Sequence, residues 1–245
     1  MDRIAPRRSA EPRRARVLMA LAAAAALAAA AGAGLAHEPD DRLPAAVTMD
    51  FVPPPPGSYA LNAIMRAPAG PVLDRDGRRR PLARFTAGKI TLLGFIYTSC
   101  ADPRGCPLAT QVFHTVRHRV SEDADLRARV RLVSLSYDPL RDTPAVMRHY
   151  AADGPDNGVE WAFLTTELPR TLVPLLDGFG QDVRIELDAH GRAAGPLAHV
   201  LKVFLIDARG MVREIYTTSY LYPEVILNDI KTLRLEDRTA RRAGP

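Results

Sequence analysis

The sequence KITLLGFIYTSCADPRGCP, residues 89–107, decides the fold and holds both cysteines of the chain. Residues 90–96 form a short, largely apolar run with β-branched members, which predicts a buried strand. Pro107 directly follows Cys106, and the sequence after it predicts a helix with Cys106 at its N-cap and Pro107 at its first position. A cysteine there faces the positive end of the helix dipole, which favours the thiolate. The stretch therefore predicts reactive sulfur between a strand and a helix.

The composition is that of a globular chain, with 47% hydrophobic and 25% charged residues in a length of 245. The net charge of +5 is concentrated at the N-terminus, where residues 1–36 hold six arginines against Asp2 and Glu11. That segment carries +4 of the total, which leaves only +1 for residues 37–245. Nucleic-acid binding needs a basic surface, so no nucleic-acid partner is expected.

Residues 17–36 form an uncharged, alanine-rich run after this basic start. The pattern predicts a signal peptide over residues 1–36, with small-residue sites that suit cleavage. A run of this length can also just span a bilayer as an uncleaved membrane anchor, and a cytosolic amphipathic helix is the third interpretation. Either of the first two places the rest of the chain outside the cytosol, where two cysteines can persist as a disulfide bond.

The rest of the chain divides into a linker, a domain and a tail. Residues 37–59 are acidic and then proline-rich, which predicts a stiff extended linker. Residues 60–236 alternate between strand and helix patterns and open on a hairpin with Asp76 and Gly77 in its turn. The order βαβα followed by ββα predicts an α/β fold, a layered sheet with helices on both faces. Residues 237–245 are expected to form a flexible tail.

Three groups of residues in this domain resemble the Sco family, copper chaperones for the CuA centre of cytochrome c oxidase. They are Phe95, Tyr97, Thr98, Cys100, Cys106 and Pro107; the sequence SYDPLRDTP at residues 136–144; and His199, eight residues before Asp207. The resemblance covers about residues 60–236 and implies a thioredoxin-like fold with an N-terminal hairpin extension. In that family two cysteines and a distal histidine bind copper.

The resemblance thus implies that Cys100, Cys106 and His199 are the metal ligands, and that the two cysteines are also the redox pair. Soft thiolates select Cu(I), and an added imidazole lets the same site hold Cu(II). The family's cysteines are usually separated by three residues, whereas five intervene here. Five residues readily span the roughly 5.5 Å between the Cα atoms of a disulfide. Asp138 is interpreted either as a cap of its own turn or as an acceptor that tunes the site from outside the ligand shell.

The resemblance implies a periplasmic metallochaperone, soluble after signal cleavage or anchored to the inner membrane. Its recipient would be the oxidase subunit that carries the CuA site, or another periplasmic copper or thiol protein, and it would deliver copper or reducing equivalents. The alternative is a thiol–disulfide oxidoreductase or redox sensor, in which Cys106, or Cys100 if it is more exposed, attacks a disulfide. Thioredoxin-like reductases carry a proline before the corresponding strand, where this chain has Leu201 and Lys202. An exported binding domain with an inert disulfide is the third interpretation.

His114 and His118 lie four residues apart, the spacing of a metal pair on one helix face. The apolar stripe of the same helix is predicted at residues 109, 112, 113, 116 and 120. The two histidines lie opposite that stripe, so they are expected to project into solvent.

Overall fold

The computed structural model describes residues 49–100, 102–151, 157–184 and 198–242. Within those ranges, no helix has both the length and the apolar character that crossing a membrane requires. The signal peptide or anchor expected at residues 1–36 lies outside the described residues and stays a prediction.

The described residues contain ten strands and six helices. The strands are β1 (Met65–Arg66), β2 (Pro71–Leu73), β3 (Arg79–Pro81), β4 (Ile90–Ile96), β5 (Val130–Ser136), β6 (Glu160–Leu164), β7 (Val183–Arg184), β8 (Ala198–His199), β9 (Val203–Ile206) and β10 (Met211–Tyr216). The helices are α1 (Ala83–Thr86), α2 (Cys106–Ser121), α3 (Ala124–Arg129), α4 (Pro144–Tyr150), α5 (Pro169–Phe179) and α6 (Pro223–Arg242).

Six of the strands form one mixed sheet in the order β1-β10-β9-β4-β5-β6. The β4, β5 and β6 strands run parallel, and β9 is antiparallel to β4, with Val203 opposite Gly94. The ends of β4 and β5 therefore meet the start of β9 at one end of the sheet, which we call the cysteine end. All three segments that carry predicted site residues lead into or out of it.

Both faces of the sheet are covered by helices, because successive side chains of a strand point to opposite faces. Leu92 is fully buried in a cluster with α2 and α6, whereas Leu93 is fully buried in a second cluster with α1, α4 and α5. Every residue of β4 is buried, as the apolar run predicted. The predicted α/β architecture with helices on both faces is confirmed.

The predicted N-terminal hairpin is confirmed as β2 and β3, a separate two-stranded antiparallel sheet. Its turn contains Gly77 at φ 76°, a left-handed conformation that glycine adopts without steric cost. Asp74 closes the turn, since its carboxyl oxygen accepts the N–H groups of Asp76 and Arg78 at 3.0 and 2.9 Å.

Helix α6 continues through residues 237–242, the first part of the expected flexible tail at residues 237–245, and the flexibility of that tail stays a prediction. No glycine or proline interrupts the sequence between Pro223 and Ala243, so nothing in it ends the helix earlier. The hydroxyl of Thr239 donates to the Leu235 carbonyl at 3.1 Å, one turn back along this helix. Residues 243–245 lie outside the described residues.

Residues 49–59, from the predicted linker, contact α6 and the residues just before it. The Gly57 N–H donates to the Thr232 hydroxyl at 2.9 Å, and the Asn228 amide donates to the Pro54 carbonyl at 3.0 Å. The Phe51 ring lies 5.9 Å from that of Tyr222, edge to face. This part of the segment is therefore held against the domain.

Candidate metal centre

The first cysteine lies in a tight turn directly after β4. The Cys100 N–H donates to the Tyr97 carbonyl at 3.1 Å, which closes the turn. Tyr97 is buried and its hydroxyl bonds to the Cys100 thiol. The thiol itself is partly exposed, at the surface of the cysteine end.

Residues 102–105, the described part of the stretch between the cysteines, fold into a second turn that returns the chain to the first. The Gly105 N–H donates to the Asp102 carbonyl at 2.9 Å, and the Arg104 N–H donates to the Asp102 carboxyl at 3.0 Å. A Cβ atom at Gly105 would lie only 3.4 Å from the Cys100 sulfur. The longer spacing is thus absorbed within the loop, and glycine permits the close approach.

Helix α2 begins one position earlier than the sequence predicts: Gly105 is its N-cap and Cys106 its first residue. Gly105 offers no side-chain cap, so the helix start relies on the Ala109 N–H, which donates to the Gly105 carbonyl at 3.2 Å. The shift places Cys106 inside the first turn, where its side chain points into the core and is 1% exposed.

The two thiols contact each other, and their pKa values are shifted in opposite directions. Burial raises the pKa of Cys100, but hydrogen bonds from the Cys106 backbone N–H and the Tyr97 hydroxyl outweigh it, so the pKa lies below the ordinary 9.0. Burial raises the pKa of Cys106 to about 12, and the bond to the neighbouring Cys100 thiol adds to the rise. The thiolate expected at Cys106 from the helix dipole is therefore favoured at Cys100 instead, because desolvation of the deeper thiol exceeds the effect of the helix end.

A group of buried aromatic rings lies behind the thiols. The Phe95 ring stacks on that of Tyr137 at 5.3 Å, and the Tyr97 ring meets Tyr137 at 6.5 Å. Burial raises the pKa of Tyr97, and its bond to Cys100 raises it further, so its hydroxyl keeps the proton that it donates to the sulfur. Aromatic rings therefore line the inner side of the thiol pair, and only Cys100 is partly exposed to solvent.

Both aspartates of the SYDPLRDTP sequence lie in the loop that follows β5. The Asp138 carboxyl forms an ion pair with Arg141 at 3.1 Å and accepts the Arg141 N–H at 3.4 Å, both within its own turn. The Asp142 carboxyl instead bonds to Thr98, beside the cysteine turn. The role of Asp138 as a tuning acceptor stays a prediction, and Asp142 is the aspartate that contacts the cysteine segment.

The backbone of His199 lies at the cysteine end of the sheet. It belongs to β8, opposite Val183 of β7, and β9 begins shortly after it with Val203, the partner of Gly94. Its side chain is not among those that the structure describes, and its predicted role as a ligand stays a prediction. Among the described residues, no three side chains of His, Cys, Asp or Glu are arranged to hold a metal ion.

The family model of SCO1/SenC matches residues 72–234, which include all of the hairpin except Pro71, both cysteines, His199 and the loop after β5 that carries Asp138 and Asp142, which we call the aspartate loop. The chain belongs to the SCO1/SenC family. The resemblance inferred from residues 95–107, 136–144 and 199 is thereby confirmed.

Solved structures similar to this SCO1/SenC protein have the same fold. A SCO1/SenC family lipoprotein from Bacillus anthracis is 23% identical with a TM-score of 0.57, over 69% of this chain and 95% of that one. Arabidopsis thaliana ScoI with copper bound is 17% identical with a TM-score of 0.56, over 69% and 98%. BsSco, described as a Sco family cytochrome c oxidase assembly protein with a disulfide switch, is 23% identical with a TM-score of 0.53, over 75% and 98%. No curated protein sequence matches this one significantly.

The other histidines expected on α2 of this SCO1/SenC chain lie away from the cysteine pair. The stripe of Ala109, Val112, Phe113, Val116 and Val120 is buried, and His114 and His118 are exposed, as predicted. The His114 ring contacts Trp161 edge to face at 4.8 Å, and His118 lies 3.7 Å from the Glu122 carboxylate.

Sequence reasoning missed the contributions of Tyr97, Gly105 and Asp142 to this SCO1/SenC site. In the sequence, Tyr97 and Asp142 stand out only as members of the family pattern, and Gly105 is only one of the five residues between the cysteines. The one available signal was position, since each lies within a turn next to a cysteine or at the end of a strand. These hydrogen bonds depend on how two loops come together in the fold. The spacing of residues along the sequence does not reveal that arrangement.

Proposed function

We propose that this protein is an exported copper-binding metallochaperone that delivers copper, or reducing equivalents, for assembly of the CuA site of cytochrome c oxidase. The observation that carries the proposal is the contact between two thiols at the cysteine end, of which Cys100 is partly exposed with a lowered pKa and Cys106 is buried. Two adjacent sulfur donors suit Cu(I), and an imidazole from His199 would complete a three-coordinate site that also accepts Cu(II). The copper-bound Arabidopsis ScoI has the same fold, which supports the choice of metal.

The proposed location is the periplasm, with residues 1–36 as the export signal or inner-membrane anchor. The proposed recipient is the oxidase subunit that carries the CuA site or another periplasmic copper or thiol protein. Membership in a family that includes BsSco, a cytochrome c oxidase assembly protein, supports this assignment.

The proposal is tested by titrating the reduced full-length protein with Cu(I), without oxygen, in competition with a chromophoric Cu(I) chelator. We expect one tightly bound equivalent, and Cys100→Ser, Cys106→Ser and His199→Ala should each lower the affinity. The loss of an outer partner of a metal ligand already costs roughly 10–100-fold in affinity, so the loss of a ligand should cost at least as much.

His118→Ala is the matched control, because it removes an exposed histidine that is paired with Glu122 on α2. It should leave the copper affinity unchanged. An affinity that is indifferent to His199→Ala, or that falls equally with His118→Ala, would show that the proposed ligand set is wrong.

A thiol–disulfide oxidoreductase is the second candidate, favoured by the contrast between the two thiols. The Cys100 thiolate would attack one sulfur of a partner disulfide, form a mixed disulfide and release the first partner thiolate. Cys106, after losing its proton, would then attack the Cys100 sulfur, form the Cys100–Cys106 disulfide and release the second partner thiolate. Two electrons pass to the partner, and an external dithiol must restore the pair. This sequence of steps requires Cys100 to be the more reactive thiol.

A further inference from the structure

The carboxyl group of Asp142 lies between the end of β4 and the end of β5 and is 1% exposed. One of its oxygens accepts the Thr98 N–H at 3.1 Å and the Ser136 hydroxyl at 2.6 Å. The other accepts the Thr98 hydroxyl at 2.5 Å. These three bonds join the first residues of the cysteine segment to the neighbouring strand.

The bonds continue on both sides of Asp142. The Ser136 hydroxyl oxygen accepts the Asp138 N–H at 2.9 Å, and the Asp142 N–H donates to the Asp138 carbonyl at 2.8 Å. The loop after β5 is therefore closed on itself and presents the Asp142 carboxyl toward Thr98. Its hydrogen-bond donors among the described residues are two hydroxyls and one backbone amide, all neutral, so their geometry rather than an ion pair holds the carboxyl in place.

Thr98 lies two residues before Cys100 and directly after Tyr97, which contacts both sulfur atoms. The Tyr97 hydroxyl bonds to the Cys100 thiol, and the Tyr97 backbone N–H bonds to the Cys106 thiol. A carboxyl group that holds Thr98 by both its amide and its hydroxyl therefore limits how far this turn can move. Because Tyr97 bonds to both thiols, the position of this turn sets the separation of the two sulfur atoms.

We propose that Asp142 is a positioning residue that holds the Thr98–Cys100 turn and thereby fixes the separation of the two thiols for a shared metal ion. Asp142 does not serve as the N-cap of the adjacent helix α4, because the Thr143 side chain supplies that cap by accepting the Val146 N–H. The metal part of this inference rests on the proposed function, whereas the positioning of the turn does not.

The test compares Asp142→Asn with Asp229→Asn in the full-length protein. Asp229 is also a buried carboxyl, 5% exposed, and accepts the hydroxyls of Tyr59 and Tyr216 at 2.5 and 2.7 Å. Asp229 lies on α6, outside the cysteine end. It therefore matches Asp142 as a buried carboxyl that accepts two hydroxyl groups, but it does not contact the cysteine turn. In Asp142→Asn, an amide group replaces one acceptor, and at least one of the Thr98 donors loses its partner.

The expected result for Asp142→Asn is a roughly 10–100-fold loss of Cu(I) affinity, the range typical of residues that orient metal ligands. The thiolate-to-Cu(II) absorption band should also shift, since its energy depends on the geometry of the sulfur ligands. Asp229→Asn should change neither, whatever its effect on the thermal unfolding temperature. An unchanged affinity and band in Asp142→Asn would overturn the proposal, and so would equal changes in the two variants.

Two further measurements keep the inference separate from folding and from copper. Thr98→Val removes only the hydroxyl that bonds to Asp142, with nearly the same side-chain shape, and should cause a smaller change of the same kind if Asp142→Asn does not fold. The relative alkylation rates of Cys100 and Cys106 at fixed pH, in copper-free protein, should change in Asp142→Asn and not in Asp229→Asn. Failure of the wild type to bind copper would contradict the proposed function, whereas unchanged relative alkylation rates would contradict the positioning role.

Discussion

The two cysteines have different chemistry because one lies at the surface and the other in the core. Cys100 is partly exposed and receives hydrogen bonds from Tyr97 and from the backbone of Cys106, all of which favour its thiolate. Cys106 is the first residue of α2 and is buried among aromatic rings, where charge is disfavoured. A surface nucleophile beside a buried partner can bind a soft metal or exchange disulfides.

We predict that iodoacetamide modifies Cys100 before Cys106 in reduced, copper-free protein. The thiolate is the reactive form, and a lowered pKa gives Cys100 more thiolate at any pH below the ordinary thiol value of 9.0. The pH midpoint of Cys100 alkylation should therefore lie below 9.0, whereas Cys106 should stay largely unmodified until pH approaches about 12. Mass spectrometry of peptides from a pH series measures both.

Tyr97→Phe is the matched variant for this prediction, because it keeps the ring and removes the hydroxyl that bonds to Cys100. It should move the Cys100 midpoint to higher pH. Faster modification of Cys106, or an unchanged midpoint in Tyr97→Phe, would contradict the assignment of Cys100 as the nucleophile.

Residue types and their spacing were sufficient to find the cysteine pair, but not to choose between two aspartates four positions apart. Asp138 and Asp142 have the same side chain and lie in the same loop. The loop folds so that Asp138 meets Arg141, whereas Asp142 turns back toward Thr98. That difference follows from the pairing of β4 with β5, which no local pattern contains.

At the scale of elements, the two-stranded sheet of β7 and β8 is held against the end of α5 by Gln181. Helix α5 ends at Gly180, whose left-handed conformation at φ 60° turns the chain, and the Gln181 N–H donates to the Leu176 carbonyl at 2.8 Å. The Gln181 side chain is 3% exposed, and its amide donates to the Val200 carbonyl at 2.9 Å. Val200 directly follows His199, so this bond holds the backbone that carries the predicted ligand.

We predict that Gln181→Leu, which removes the donor at similar volume, lowers Cu(I) affinity by about fivefold. One hydrogen bond is worth about 1 kcal/mol, which corresponds to that factor. The chelator competition assay measures the change in affinity. A double-mutant cycle with His199→Ala tests whether that change acts through His199. The effect of Gln181→Leu should vanish in the His199→Ala background, because both act through the same ligand. Full additivity of the two substitutions would contradict a role through His199.

The elements themselves were largely predictable, since β4 is an uninterrupted apolar run and Gly180 ends α5 as its sequence indicates. The start of α2 was not, because a proline suits any position of the first turn and does not specify which residue caps the helix; the cap is Gly105. The edge strand β1 has only two residues and so leaves no periodic pattern in the sequence.

Across the molecule, the candidate site combines three segments that are far apart in sequence. The cysteine turns follow β4, the aspartate loop follows β5, and strand β8 with His199 precedes β9. They meet because β4 and β5 are parallel and β9 is antiparallel to β4, so two strand ends and one strand start share the cysteine end. The sheet is therefore the rigid support of the site, and the loops supply its chemistry.

The central claim is that copper binds to Cys100, Cys106 and His199 together, and X-ray absorption at the copper edge tests it most directly. The Cu(I)-loaded wild type should show a scattering shell of two sulfur atoms and one nitrogen atom, with the outer signals of an imidazole ring. His199→Ala should lose the nitrogen shell and the imidazole signals, and His118→Ala should keep both. An identical spectrum for wild type and His199→Ala, or a first shell without two sulfur atoms, would contradict the account.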